Sequence, residues 1–104
     1  MAAPYIPPKK NEDFLFAICL EDFANPGTIK SNPTIAAGDF KISKDYAAFA
    51  NLSTLPDVEP DSTVQVRVQV SSTEMNADGV MIVWADQTVP KEWADGWLFI
   101  PTTQ

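Results

Sequence analysis

Four valines alternate with four polar residues from Thr63 to Val70, and this pattern constrains the fold more than any other feature of the chain. A repeat of two residues is that of a β-strand, in which successive side chains point to opposite faces. The segment therefore predicts a strand with one face in a hydrophobic core and the other in water.

Three further segments are apolar at both odd and even positions: Asp13–Leu20, Gly79–Asp86 and Gly96–Ile100. A two-layer sandwich buries only one face of each sheet, so such strands need a second cover from an arm of the same chain or from a neighbouring subunit. The first and the last of the three, Asp13–Leu20 and Gly96–Ile100, are the predicted interface elements.

Shorter signals lie between these strands. Asp39–Ser43 and Ala47–Asn51 predict a hairpin that turns at residues 44–46. Leu52–Ser62 contains two prolines and three acidic residues, which predicts a loop. Ser71–Glu74 has the Ser-x-x-Glu spacing of a capping box, followed by room for at most one helical turn.

The pattern as a whole is six or seven short strands separated by turn signals, without a helix of useful length. We predict an all-β protein with an immunoglobulin-like antiparallel β-sandwich, and a small β-barrel is the alternative because the pattern rules of the two overlap. Residues 1–11 are predicted to be an extended, proline-rich arm, and residues 12–104 a single sandwich domain.

Composition and charge argue against several classes of function. The net charge is −7 and no basic cluster exceeds Lys9-Lys10, which argues against nucleic-acid binding. No segment approaches the ~18 apolar residues of a membrane span, and the proline-containing start does not resemble a signal peptide. The single cysteine, Cys19, cannot form an intrachain disulfide, as expected of a cytoplasmic protein, and its apolar neighbours predict a buried thiol.

The residues of a conventional active site are missing. The chain has no histidine, which removes Ser-His and Cys-His nucleophiles and histidine-containing zinc sites. Its glycines are scattered singly, so no phosphate-binding loop is present. Asp57, Glu59 and Asp61 have the spacing of calcium ligands but lack the glycine turn and terminal glutamate of an EF-hand, which favours a solvated loop. We therefore predict no catalysis, no cofactor and no metal.

The tryptophans have different predicted environments. Trp84 lies within an apolar strand and is predicted to be in the core. Trp93 lies between Glu92 and Asp95 on a predicted loop and is the more exposed candidate, for packing or a subunit contact rather than for stacking on a sugar.

Two stretches resemble a known family. The first is NPTIAAGDFKISKD at residues 32–45 with FANLSTLP at residues 49–56; the second is SSTEMNAD at residues 71–78, followed by a hydrophobic strand and a Glu-Trp pair. They resemble a recurrent small domain of tailed-bacteriophage genomes, an immunoglobulin-like virion structural protein, over about Ile6 to Ile100. Where that family has a two-glycine hairpin after the Lys-Asp pair, this chain has Tyr46-Ala47-Ala48.

The resemblance implies a virion structural protein, either a capsid decoration protein or a neck or tail accessory subunit. Such a protein is made in the host bacterial cytoplasm and placed in the virion as a homo-oligomer or in many symmetric copies, with coat, neck or tail subunits as partners. The alternative is a module that binds host-surface glycans through Trp93 and Trp97.

The predicted assembly residues come from the arm, the terminal strands and the Trp93 loop. They are Pro4, Tyr5, Ile6, Lys9, Lys10, Phe14, Phe16, Trp93, Trp97 and Phe99. The arm has no predicted partner strand within the domain, so we expect it to reach a neighbouring chain, with its two lysines facing carboxylates there.

Overall fold

The computed structural model describes residues 8–103, which form two antiparallel sheets. The seven strands are β1 (Phe14–Cys19), β2 (Phe40–Lys44), β3 (Ala50–Asn51), β4 (Asp57–Val58), β5 (Gln65–Val70), β6 (Gly79–Trp84) and β7 (Gly96–Pro101). One sheet has the order β1-β5-β4 and the other the order β3-β2-β6-β7. Within residues 8–103 the protein is therefore all-β, as predicted.

The two sheets form a sandwich and not a closed barrel, because no described strand of one sheet pairs with a strand of the other. The strand order is consistent with an immunoglobulin-like sandwich in which β1, β5 and β4 correspond to strands B, E and D. The other sheet then corresponds to strands C′, C, F and G. Between residues 8 and 103 there is no helix long and apolar enough to cross a membrane.

The valine row of β5 forms the centre of the core. Val66, Val68 and Val70 are fully buried, and the intervening Arg67 is exposed, which confirms the predicted alternation. They share the core with inward residues of the other sheet, including Val80 and Ile82. Burial of each of these side chains stabilises the fold by roughly 1.5–3 kcal/mol.

Pairing with β5 fixes which face of β1 is inward. Phe16 is opposite Val68 and Ile18 is opposite Val66, and residues directly opposite in a sheet share a face. The alternate residues of β1 therefore face outward. The prediction that Cys19 is buried is wrong, because Cys19 is opposite Gln65 on the polar face and is exposed.

Trp93 is fully buried, so the prediction that it is the more exposed tryptophan and a subunit contact is wrong, and of its two predicted roles the structure shows packing. Its Nε1–H donates to the carbonyl of Thr34 at 3.2 Å, and its ring centroid lies 6.0 Å from that of Phe40. A bridge between Trp93 and Asp22 holds the loop against the segment that follows β1. This long-range pairing buries an indole that lies between the acidic residues Glu92 and Asp95 in the sequence.

Trp84 packs against the core as predicted, although it is only partly buried. Its ring stacks on Phe40 with centroids 5.6 Å apart. The indole also lies directly against the backbone of Gly96, where any side chain would overlap it.

The local predictions between the long strands are mostly confirmed. The hairpin forms, with Ile42 opposite Ala50, although its second strand covers only residues 50–51. The capping box closes through Glu74 N–H to Ser71 Oγ at 3.2 Å and Ser71 N–H to Glu74 Oε1 at 3.0 Å. The loop predicted over 52–62 is wrong at Asp57–Val58, which pairs with β5 where Asp57 is opposite Arg67. Opposite charges across a strand pair favour such pairing.

The end of the predicted arm pairs within its own chain. Lys10 N–H donates to Thr103 O at 2.8 Å, and Thr103 N–H donates to Pro8 O at 2.9 Å. The expectation that the arm has no partner strand is therefore wrong for residues 8–10. Pro8 and Pro101 have no N–H, so neither can donate a further bond to this ladder. Pro4, Tyr5 and Ile6 lie outside the described residues.

A buried carboxylate, that of Asp86, organises the loop after β6. It accepts backbone N–H groups from Thr88 at 2.9 Å and from Glu92 at 2.7 Å. Burial raises the pKa of the Asp86 carboxyl, but hydrogen bonds from Glu92, Thr88 and Trp93 outweigh burial and hold the pKa below its usual value. The loop that buries Trp93 is thus fixed by an ionised group.

We predict that Asp86→Asn lowers the free energy of unfolding by about 2 kcal/mol at pH 7, because a charge-assisted acceptor is lost. A group whose folded-state pKa is lowered stabilises fully above its unfolded-state pKa, and this contribution is lost as pH falls through the folded value. Measured by urea unfolding, the difference in free energy of unfolding between Asp86→Asn and the wild type should therefore become smaller as the pH falls. Asp61→Asn, at an exposed position, is the control. Equal stability of Asp86→Asn and wild type at pH 7 would contradict this role.

Candidate assembly surface

The outward face of the four-stranded sheet is apolar where β6 and β7 pair. Val80 and Ile82 point into the core, so Met81 and Val83 point outward. In the register, Met81 is opposite Phe99 and Val83 is opposite Trp97. Trp97 is 71% exposed and Phe99 is 45% exposed. We call Met81, Val83, Trp97, Phe99 and the neighbouring Phe49 the apolar face.

A shallow groove of about 250 Å³ crosses the apolar face. It is lined by Ser43, Asp45, Tyr46, Ala47, Phe49, Gly79, Met81 and Phe99. Glycine at position 79 leaves room for the Phe99 ring, because a Cβ there would lie 2.6 Å from Phe99 Cζ. The Phe99 ring therefore rests on the β6 backbone, and any larger residue at position 79 would displace it.

The two strands that supply most of the apolar face carry no charge. Neither Gly79–Trp84 nor Gly96–Pro101 contains an acidic or basic residue, although the whole chain has a net charge of −7. Soluble monomers rarely expose a contiguous apolar patch that is not an interaction site. Exposed aromatic residues on an uncharged strand pair are typical of the centre of a protein interface. The charged residues Lys41, opposite Val83, and Asp45, in the groove lining, lie at the margin of this pair. The described residues leave this face uncovered.

A tight turn forms one end of the groove. Asp45 and Tyr46 have φ values of 48° and 66°, and Ala47 N–H donates to Lys44 O at 2.9 Å, as in a type I′ turn. The Asp45 carboxylate accepts the Gly79 N–H at 3.0 Å, which holds the turn against the start of β6. Tyr46 is 94% exposed beside the apolar face.

The predicted site residues of the terminal strands divide between the two faces. Trp97 and Phe99 lie on the apolar face. Phe14 and Phe16 pack against the core, with ring centroids 5.9 Å apart. The prediction that they form an outer interface is therefore wrong, because they lie on the inward face of β1. The outward residues of β1 are Leu15, Ala17 and Cys19, of which Leu15 is the large apolar one and is 54% exposed.

The two lysines of the predicted arm have acidic neighbours in their own chain. Lys10 Nζ lies 3.2 Å from Asp78 Oδ1, and Lys9 Nζ lies 4.0 Å from Glu12 Oε2. Such exposed pairs contribute about 0–1 kcal/mol. The two lysines therefore lie beside carboxylates of their own chain, in pairs that contribute little to stability.

Sequence reasoning missed Met81, Val83, Phe49 and Tyr46. The sequence carries a signal for the first two, because Gly79–Asp86 is apolar on both faces. The prediction takes only the first and last of the apolar strands as interface elements, whereas the sheet order places β6 next to β7. Phe49 and Tyr46 join the surface through the hairpin, whose outward face could not be assigned from local pattern alone.

The acidic segment after β3 is separate from this face. The pKa of the Glu59 carboxyl is raised above its usual value by a hydrogen bond with the Asp57 carboxyl and then by the negative charge of Asp57. Among residues 8–103, no group of three or more potential ligands is arranged to hold a metal ion.

Comparisons of the chain with protein-family models, curated proteins and solved structures found no match. The apolar face is therefore interpreted from its own geometry and chemistry.

We predict that Tyr46→Gly raises the free energy of unfolding by about 0.5–1 kcal/mol. A left-handed backbone costs a non-glycine residue roughly 1–2 kcal/mol, and the greater flexibility of unfolded glycine offsets part of this gain. The melting temperature of the purified variant measures the effect. Ala48→Gly, also exposed but without a positive φ, should be destabilising. A fall in stability for Tyr46→Gly would show that its side chain matters to the fold.

Proposed function

We propose that this protein is a bacteriophage virion structural protein, a capsid decoration or neck or tail accessory subunit, that attaches through its apolar face. The observation that carries the proposal is the uncharged pairing of Met81 with Phe99 and of Val83 with Trp97 on a solvent-facing sheet. The resemblance of the sequence to small virion proteins supports the choice of assembly, and its partners would be coat, neck or tail subunits.

The aromatic side chains of the apolar face can contribute several kcal/mol to attachment. A large aromatic side chain buries roughly 150–250 Å², at about 25 cal/mol per Å². Trp97 is 71% exposed, so most of its area remains for an intermolecular contact. Association costs at least about 4 kcal/mol in lost freedom, so Trp97 needs the support of Phe99 and its neighbours.

The distribution of charge favours attachment to another protein. Two copies that each carry a net charge of −7 repel one another at a distance. β6 and β7 themselves carry no charge, and the nearest charged groups on this face are Lys41, opposite Val83, and Asp45 at the end of the groove. A contact centred on β6 and β7 therefore has to bury no ion of those two strands. Many copies would then be arranged by the symmetry of the particle rather than by contacts with each other.

Catalysis is not part of the proposal. The chain contains no histidine, and its two buried carboxylates are both engaged with the backbone. Asp86 holds the loop that follows β6, and Asp39 accepts the N–H groups of Ala36 at 2.9 Å and Gln87 at 3.1 Å.

The glycan-binding alternative is weaker. It requires Trp93 and Trp97 as two stacking platforms, and Trp93 is fully buried. Trp97 has apolar neighbours in Val83 and Phe99 rather than the polar groups that would bind sugar hydroxyls.

We predict that Trp97→Asp lowers the number of copies on purified particles at least about tenfold, since loss of a central aromatic anchor costs 2 kcal/mol or more. Quantitative mass spectrometry of the particles measures the copies. Leu55→Asp is the matched control, because Leu55 is 52% exposed but lies outside the apolar face. Both variants should keep their melting temperatures.

Phe99→Lys gives a second test of the same surface. If particles carry normal numbers of both the Trp97→Asp and the Phe99→Lys protein, the apolar face is not the attachment surface. Phe16→Asp is unsuitable for this experiment, because Phe16 packs against the core and its replacement should unfold the domain.

A further inference from the structure

β1 is an edge strand with an open side. In the order β1-β5-β4, the described residues pair with β1 only through β5. Its six residues, Phe14–Cys19, contain no charge and no proline. Natural proteins usually protect such an edge, because its unpaired backbone groups are a template for another strand.

The other sheet edges carry recognisable protection. β3 and β4 have two residues each, and β4 lies between Pro56 and Pro60. β7 ends at Pro101, beyond which Thr103 pairs with Lys9. Short length, proline and covering chain are the devices that prevent pairing at an edge. Within its six residues β1 has none of these devices, and the covering chain begins only beyond its end, where Glu21 and Phe23 bond to residues 92–94.

The direction of the open backbone groups follows from the segment after β1. The backbone groups of Leu20 and Asp22 form hydrogen bonds with residues 28–30 on one side of the chain. The Phe23 N–H donates to Glu92 O on the opposite side. Backbone groups of successive residues in a strand point to opposite edges, so the odd-numbered residues face away from β5. The N–H and C=O groups at the open edge are those of Leu15, Ala17 and Cys19.

A groove beside this edge offers space for apolar side chains. It has a volume of about 370 Å³ and lies between β1 and β7, with Pro8, Phe14, Leu98 and Ile100 among its lining residues. Phe14 remains only partly buried, whereas the β5 valines are completely buried. A strand added at the β1 edge would direct alternate side chains into this groove and cover the core there.

Charge at the ends of β1 indicates the nature of the added strand. Glu12 and Asp13 precede β1, and Glu21 and Asp22 follow it. A second copy of β1 would place acidic ends beside acidic ends in either direction, and like charges opposite each other are destabilising. A strand with basic residues at both ends would instead be attracted.

We propose that the β1 edge accepts a β-strand from a different protein, an extended segment with apolar residues at alternate positions and Lys or Arg at both ends. Backbone hydrogen bonds to Leu15, Ala17 and Cys19 supply affinity, and the groove selects apolar side chains. The paired edge lies on the opposite sheet from the apolar face, and the groove shares only Phe99 with that face. Trp97→Asp, which does not alter the groove lining, therefore tests the proposed attachment separately.

The single cysteine allows a direct test. Cys19 is exposed at the end of β1, and each peptide is supplied as a mixed disulfide between its own cysteine and a small thiol. The Cys19 thiolate attacks the peptide sulfur and the small thiol leaves, so the new protein–peptide disulfide holds the peptide beside the edge at high effective concentration. Three peptides are compared: an alternating Val-Thr peptide with lysine ends, the same peptide with glutamate ends, and the lysine peptide with prolines in place of its threonines. The fraction of captured protein is measured at exchange equilibrium.

We expect the lysine-ended Val-Thr peptide to be captured at least about tenfold more than either of the others, a difference of about 1.4 kcal/mol. Amide hydrogen exchange should then slow at Leu15 and Ala17, while Phe16 and Ile18, already bonded to β5, should not change. Ala17→Pro should abolish the preference, because it removes one N–H from the open edge. Ala48→Pro is the matched control outside β1.

Three results would overturn the proposal. Equal capture of the three peptides by the wild-type protein would show that the edge does not select a strand. Protection of the Leu15 and Ala17 amides that grows with protein concentration would identify a second copy as the occupant. Protection in dilute free protein that disappears on deletion of residues 1–7 would identify the chain's own N-terminal segment.

Discussion

Burial of the Val66, Val68 and Val70 row against the four-stranded sheet is the constraint on which the rest of the structure depends. Because the residues between these valines are polar, β5 has one possible inward face. Its pairing with β1 then fixes Phe14, Phe16 and Ile18 as inward, although β1 is apolar on both sides. A shift of the β1 register by one residue would bury Cys19 and expose Phe16 instead.

Once this core is filled, apolar surface remains outside it. Trp97 and Phe99 on one sheet and Leu15 on the other are exposed, and the core that they flank is complete without them. Such residues reduce solubility while adding little to folding, so binding is the physical reason to retain them. We therefore propose the apolar face and the β1 edge as two interaction surfaces, one based on side chains and the other on backbone groups.

The sequence predicted elements whose signals are local. The alternation predicted over Thr63–Val70, the hairpin after Asp39 and the capping box at Ser71–Glu74 depend on near neighbours. The hairpin and the capping box are present, and the alternation is present over Gln65–Val70, whereas Val64 is exposed. The burial of Trp93 and the inward direction of Phe16 were mispredicted, because each depends on a partner far away in the chain, Asp22 or Val68. The sequence predicted Trp97 and Phe99 as assembly residues from their own strand. It did not predict Met81 and Val83, because their place beside Trp97 and Phe99 depends on the pairing of two strands.

The most direct measurement of the central claim is hydroxyl-radical footprinting of Trp97 in the isolated protein and in purified virions, with Val89 as the reference. Both side chains are largely exposed in the free protein, at 71% and 93%. Attachment through the apolar face predicts that Trp97 oxidation falls at least about tenfold in the particle, as expected of a desolvated interface centre, while Val89 oxidation is unchanged. Equal oxidation of Trp97 in the two states would contradict the account.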